Sequence, residues 1–211
     1  MKPTILMARL AVALFATSPV LALSPRAAHN PRDTSIPEGY KFGHLHITGD
    51  INGVAINHTG TVQEVFAQLD AESNSFKLSD LADIQSRSGI ADELDKRELT
   101  DVNCWPVKGQ NWNEADGPAV IDGINYLRRG NKMCNIGAQS CGRVSCSWDA
   151  AIYLCNNNPH PISPSCRTVG DFANKLNNKC RWQYYLYQHH QVGGQAWDND
   201  NWNVFIRKDD C

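Results

Sequence analysis

At 211 residues, with 20 lysines and arginines against 22 aspartates and glutamates, the chain is long enough for one or two domains and close to neutral. That balance gives no polyanion-seeking signature of the excess positive charge by which nucleic-acid binders hold phosphate, so no nucleic-acid partner is expected. All eight cysteines and all six tryptophans fall between Cys104 and Cys211, the pattern of a small oxidised domain behind a leader rather than of a cytosolic enzyme.

Met1–Ala22 reads as a secretory signal peptide. Lys2 and Arg9 give the basic start, Leu10–Ala16 is a short apolar run, and Val20-Leu21-Ala22 offers the small residues that signal peptidase cuts behind. The run is too short to cross ~30 Å of hydrocarbon, and no later segment is apolar enough to do so. The expected product is therefore secreted, extracellular and without a membrane span.

Residues 23–97 read as a pro-segment, mildly acidic and free of cysteine. Gly43–Thr48 and Val54–Asn57 alternate around the glycine-bearing stretch 49–53, which predicts a hairpin. Val62, Val65, Phe66 and Leu69 then recur at helical spacing, with Thr61 placed to cap the start. Asn57-His58-Thr59 is a glycosylation sequon, which fits passage through the secretory pathway. Lys96-Arg97 ends a charged stretch just ahead of the first cysteine. A dibasic protease of the Kex type is expected to cut there, leaving residues 98–211 as the mature cysteine-rich domain.

Within that domain the spacing predicts a helix over Pro118–Arg129, with Val120, Ile121, Ile124 and Leu127 on one face and Asp116 near its start. Arg143–Cys155 alternates throughout and reads as one strand, an alternation that would bury Trp148; Asn156–Pro164 is a loop by composition. Ser165–Cys180 predicts a second helix capped by Ser165, with Val169, Phe172, Ala173 and Leu176 inward. Trp182–Tyr187 and Trp202–Ile206 read as strands flanking Gly193-Gly194, and the second would bury Trp202. The expected fold is α+β, a small disulfide-rich sandwich of two helices on an antiparallel sheet.

An even cysteine count behind a signal peptide favours disulfides among Cys104, Cys134, Cys141, Cys146, Cys155, Cys166, Cys180 and Cys211, in pairs that spacing does not reveal. Zinc would want C-x2-C pairs, and the nearest spacing is Cys141-x4-Cys146. Asp198–Asn203 is rich in oxygen ligands. An EF-hand loop needs glycine sixth and glutamate twelfth, however, where this chain has Asn203 and Asp209, so a polar turn is expected instead. Neither a metal nor a cofactor is expected.

His160, His189, His190 and Glu114 are the candidates for acid–base chemistry of a secreted ribonuclease type, although no catalytic motif frames them. Trp105 and Trp112, in a loop-like stretch, are the candidates for an exposed sugar-stacking face.

Cys166-Arg167 opens a helix that closes at Cys180, Val192–Asp198 reads Val-Gly-Gly-Gln-Ala-Trp-Asp, and Asn203-Val-Phe-Ile leads to Cys211. On these residues the second half of the domain resembles fungal secreted cysteine-rich effectors and killer toxins, among them the calcium-channel-blocking toxins of smut fungi. Those toxins carry more cysteines, a basic surface and no comparable pro-segment, so no functional residue is carried over. The resemblance implies a monomeric, non-enzymatic toxin or effector whose partner is a cell-surface protein, such as an ion channel, of another organism. The alternatives are a protein that binds cell-wall polysaccharide and a small secreted ribonuclease.

Overall fold

A computed structural model describes residues 36–51, 53–72, 99–183 and 190–211. The described residues belong to one compact unit. Its elements run β1 (Lys41–Phe42), β2 (His46–Ile51), β3 (Val54–Thr59), α1 (Val62–Glu72), β4 (Leu99–Cys104), β5 (Ala115–Asp116), α2 (Gly117–Arg128) and β6 (Asn131–Asn135). There follow β7 (Ser140–Ser147), β8 (Ala150–Asn156), α3 (Cys166–Lys179), β9 (Arg181–Gln183), β10 (His190–Val192), β11 (Gly194–Asp198) and β12 (Trp202–Lys208).

A six-stranded sheet ordered β1-β7-β8-β12-β11-β4 forms the centre, with three-stranded sheets β5-β10-β9 and β3-β2-β6 beside it. Every pairing is antiparallel except β1 with β7. Every residue of β8 is buried, and alternation sends successive side chains to opposite faces. Ile152 and Leu154 join Val204 and Ile206 of β12 under α2 and α3. Ala151, Tyr153 and Phe205 face a second apolar layer, closed by Val107 and Trp112. There Trp112 stacks on Phe205 at 4.4 Å between ring centroids, and Phe205 on Tyr153 at 4.6 Å.

This overturns the expected α+β sandwich of two helices on one sheet. The chain is mostly β, with twelve strands in three sheets and three helices among the described residues. Two physical causes account for the difference. The alternating run Arg143–Cys155 is broken by a two-residue turn into the hairpin β7–β8, so one strand becomes two. The hairpin β2–β3, expected in a leader, extends a sheet built on β6, with His46–Asp50 paired to Asn135–Asn131.

Residues 36–72 share the core of the cysteine-rich part. Leu45, Ile47, Ile51, Val65 and Phe66 are 2 % exposed or less and cluster with Ile124, Leu127 and Val169. Thr61 caps α1 as expected, and the cap is reciprocal: the Glu64 carboxylate accepts from the Thr61 N–H at 2.7 Å, and Thr61 Oγ1 accepts from the Glu64 N–H at 3.4 Å. Gly49 permits the close approach of β2 to β6. Its φ is +132°, and a Cβ there would stand 2.1 Å from the Asn131 carbonyl oxygen.

The two expected helices are present, with Val120, Ile124 and Leu127 of α2 buried as expected, but Ile121, expected on the same face, is 38 % exposed. Asp116 caps α2 through the Ala119 N–H at 3.0 Å, and Ser165 caps α3 through the Thr168 N–H at 3.0 Å. The eight cysteines form four bridges: Cys104–Cys180, Cys134–Cys166, Cys141–Cys155 and Cys146–Cys211. The first two clamp the two ends of α3 to β4 and β6. Of the strand expected over Trp182–Tyr187, β9 covers Trp182 and Gln183, and residues 184–189 lie outside the described ones.

Candidate functional site

The turn between β7 and β8 consists of Trp148 and Asp149, both in the left-handed region at φ 49° and 58°. Two such residues joining paired strands, with Ser147 opposite Ala150, are the geometry of a type I′ hairpin turn. That turn favours asparagine and glycine, because a Cβ in this region crowds the backbone at a cost of ~1–2 kcal/mol per residue. Here the first position carries an indole that is 85 % exposed. Trp148, expected from alternation to be buried, is thus the most exposed of the large apolar side chains described. The fold bears a conformational strain and a hydrophobic exposure at one point.

The tip is held rigidly. The Cys146–Cys211 bridge fixes the C-terminus beside it, and the Asp209 N–H donates to the Asp149 carbonyl at 2.9 Å. Arg143 donates to the Asp210 carbonyl at 2.7 Å, and Arg207 pairs with Asp209 at 2.8 Å. The Tyr153 hydroxyl also donates to the Asp209 carboxylate. Lys208 and Asp149, both exposed, lie 4.0 Å apart at the rim. At the base of β7, Gln63 of α1 donates to Ser145 Oγ at 2.6 Å and accepts from the Cys146 N–H at 3.2 Å. A single indole therefore projects from a cross-linked base with mixed charge around it, an arrangement that loses little conformational freedom on binding.

The residues singled out from sequence fall elsewhere. Trp112 is 6 % exposed and belongs to the aromatic stack, because Phe205 and Tyr153 offer it a flat apolar surface. Trp105 is half-buried, its Nε1–H donating to the Trp112 carbonyl at 2.8 Å. The most exposed indoles are instead Trp148 and Trp182, the latter at 54 %. Trp202 is buried as expected, against Phe172. Asn57 lies exposed on β3, an outer strand of its sheet. Ala22, Lys96, Arg97 and His189 lie outside the described residues.

Among the described residues, the acid–base candidates His160, His190 and Glu114 lie against different neighbours. His160 is exposed in the loop after β8, with Nδ1 3.2 Å from the Pro161 carbonyl. His190 Nε2 sits 2.9 Å from Asn177 Oδ1 on α3. Glu114 lies beside Gly193, which strand alternation places on the face opposite His190. Asp198 opens a polar turn, its carboxylate accepting from the Asp200 N–H at 2.8 Å. An open groove of about 580 Å³ between β4 and α3 is lined by Thr100, Asp101, Val102, Lys175, Asn178 and Lys179, and Asn103 already engages the Asp101 carboxylate.

Glu114 is shallowly buried at 9 % exposure, and its Oε1 has no hydrogen-bond partner among the described residues. Desolvation raises its pKa, so folding disfavours the charged form. The folded state then holds the proton to higher pH than the unfolded chain, and stability is lost as pH rises through the folded pKa. Glu114→Gln is expected to be more stable than the parent at pH 7 and to match it below the unfolded pKa. Chemical denaturation at pH 7 and pH 3.5 checks this, and an advantage that persists in acid would refute the electrostatic cause.

Comparison with protein families, with curated proteins and with solved structures finds no match to this chain.

Proposed function

We propose that the chain is a secreted, non-enzymatic binding protein that acts on a cell-surface target of another organism, in the manner of the killer-toxin-like effectors that its second half resembles. One observation carries the reading: Trp148, 85 % exposed in a strained turn and braced by a disulfide at its base. Indoles on rigid supports supply large contact area at small entropic cost, which is why tryptophan is enriched where binding energy concentrates. The four bridges and the signal peptide read from the sequence support an extracellular setting.

The test is saturable binding of labelled native protein to fungal and plant cells, with calcium uptake and growth as readouts and a reduced, alkylated sample as control. Binding that requires intact disulfides and is followed by blocked uptake or arrested growth supports the toxin reading; no association with either cell type would end it. The flat, uncovered indole also favours a second reading, cell-wall polysaccharide binding. Retention on insoluble chitin, glucan or cellulose, without effect on living cells, would move the assignment there.

A further inference from the structure

Among the described residues, no disulfide joins residues 36–72 to 99–211. All four disulfides join residues within 104–211. Across the joint, five residues of β2 pair with β6, and β1 pairs with β7. Leu45, Ile47, Ile51, Val62, Val65 and Phe66, each 2 % exposed or less, lie in one core with α2 and α3. Polar groups close it at both ends. Gln63 satisfies Ser145 and Cys146 in β7, while the Tyr40 hydroxyl donates to Asn157 and accepts from the Asn203 amide at 3.1 Å.

A leader discarded after folding must leave behind a surface that water can cover. Removing residues 36–72 would instead expose an apolar wall of the core, open the edge of β6 and strip hydrogen-bond partners from β7. The dibasic pair Lys96-Arg97 lies in the connection between α1 and β4, outside the described residues.

We propose that residues 36–72 are a permanent part of the folded protein, and that a cut between α1 and β4 yields a two-chain product held without a covalent bond rather than a released leader. The cut itself needs only a secretory-pathway endoprotease. One water adds across one peptide bond, leaving a carboxylate on the first fragment and an amine on the second.

The experiment cuts the purified, folded chain with a dibasic-specific endoprotease; a foreign cleavage sequence inserted beside Arg97 gives the same cut with an orthogonal enzyme. The expected result is that both fragments co-elute in native size exclusion, keep the near-ultraviolet circular dichroism of the uncut chain, and part only in denaturant. Elution of the first fragment alone while residues 98–211 keep their signal would overturn the proposal, as would loss of that signal on cutting. Ile47→Ala, which thins the joint within the uncut fold, is expected to release the first fragment at least about tenfold more readily after cutting. Release equal to that of the parent would count against the joint as drawn.

Discussion

Trp148→Asn is expected to make the protein more stable and far worse at binding. Asparagine tolerates the left-handed region that both turn residues occupy, so the substitution relieves about 1 kcal/mol of strain in the β7–β8 turn. It also removes an indole that is 85 % exposed and contributes little to the core. For a chain of this size a gain of about 1 kcal/mol raises the midpoint of thermal unfolding by ~2–4 °C. If Trp148 anchors the target, its loss removes ~2–4 kcal/mol of binding free energy, a ~30- to 1000-fold rise in Kd. Scanning calorimetry and the cell-binding assay read the two effects separately. Tighter folding with unchanged binding would show that the tip is not the contact surface, and a fall in stability would show that the indole packs against something. Trp182→Ser, on β9, is the matched control for loss of an exposed indole elsewhere.

The β7–β8 turn was hard to see in the sequence. Arg143–Cys155 alternates through Trp148-Asp149 without the asparagine or glycine that announces a tight turn. Length was the available signal, since the run is about twice the usual strand of 5–6 residues. Features fixed by local chemistry were legible: the caps Thr61, Asp116 and Ser165, the apolar faces of the three helices apart from Ile121, and the pairing of all eight cysteines with one another. What those faces meet was not. Val62, Val65, Phe66 and Leu69 predict a buried stripe on α1, but periodicity does not reveal that the stripe meets Tyr126 of α2 and the body of the cysteine-rich part. Trp112 shows the same limit, because no local pattern in a loop reveals a stacking partner ninety-odd residues away in Phe205.

Lys132 is the clearest case of a residue whose surroundings are made by tertiary structure. It lies in β6 next to the exposed Asn131 and is itself 2 % exposed. Its ammonium donates to the Tyr126 carbonyl at 3.1 Å and to the Arg129 carbonyl at the end of α2, under the Phe66 ring at 5.4 Å. The Tyr126 carbonyl also accepts from the Arg129 N–H at 3.4 Å, and the Arg129 carbonyl lies just past the helix, so the side chain adds to the C-terminal cap from a neighbouring strand. Burial pulls its pKa down to about 7, and the cations of Arg167 and Arg129 push in the same direction. Between pH 7 and the ordinary lysine value near 10.4 the unfolded chain therefore holds a proton that the folded one has released. Stability must rise with pH across that interval, while below pH 7 both states are protonated and the full cost is present. From pH 7 to pH 9 the expected gain is roughly 2 kcal/mol, or ~4–8 °C in the midpoint of thermal unfolding. Lys132→Met keeps the length and apolar stem but has no proton to lose, so its stability should change little over the same interval. A parent that is equally stable at pH 7 and pH 9 would mean that the ammonium reaches water. A Met variant that keeps the parent's slope would assign the proton to another group.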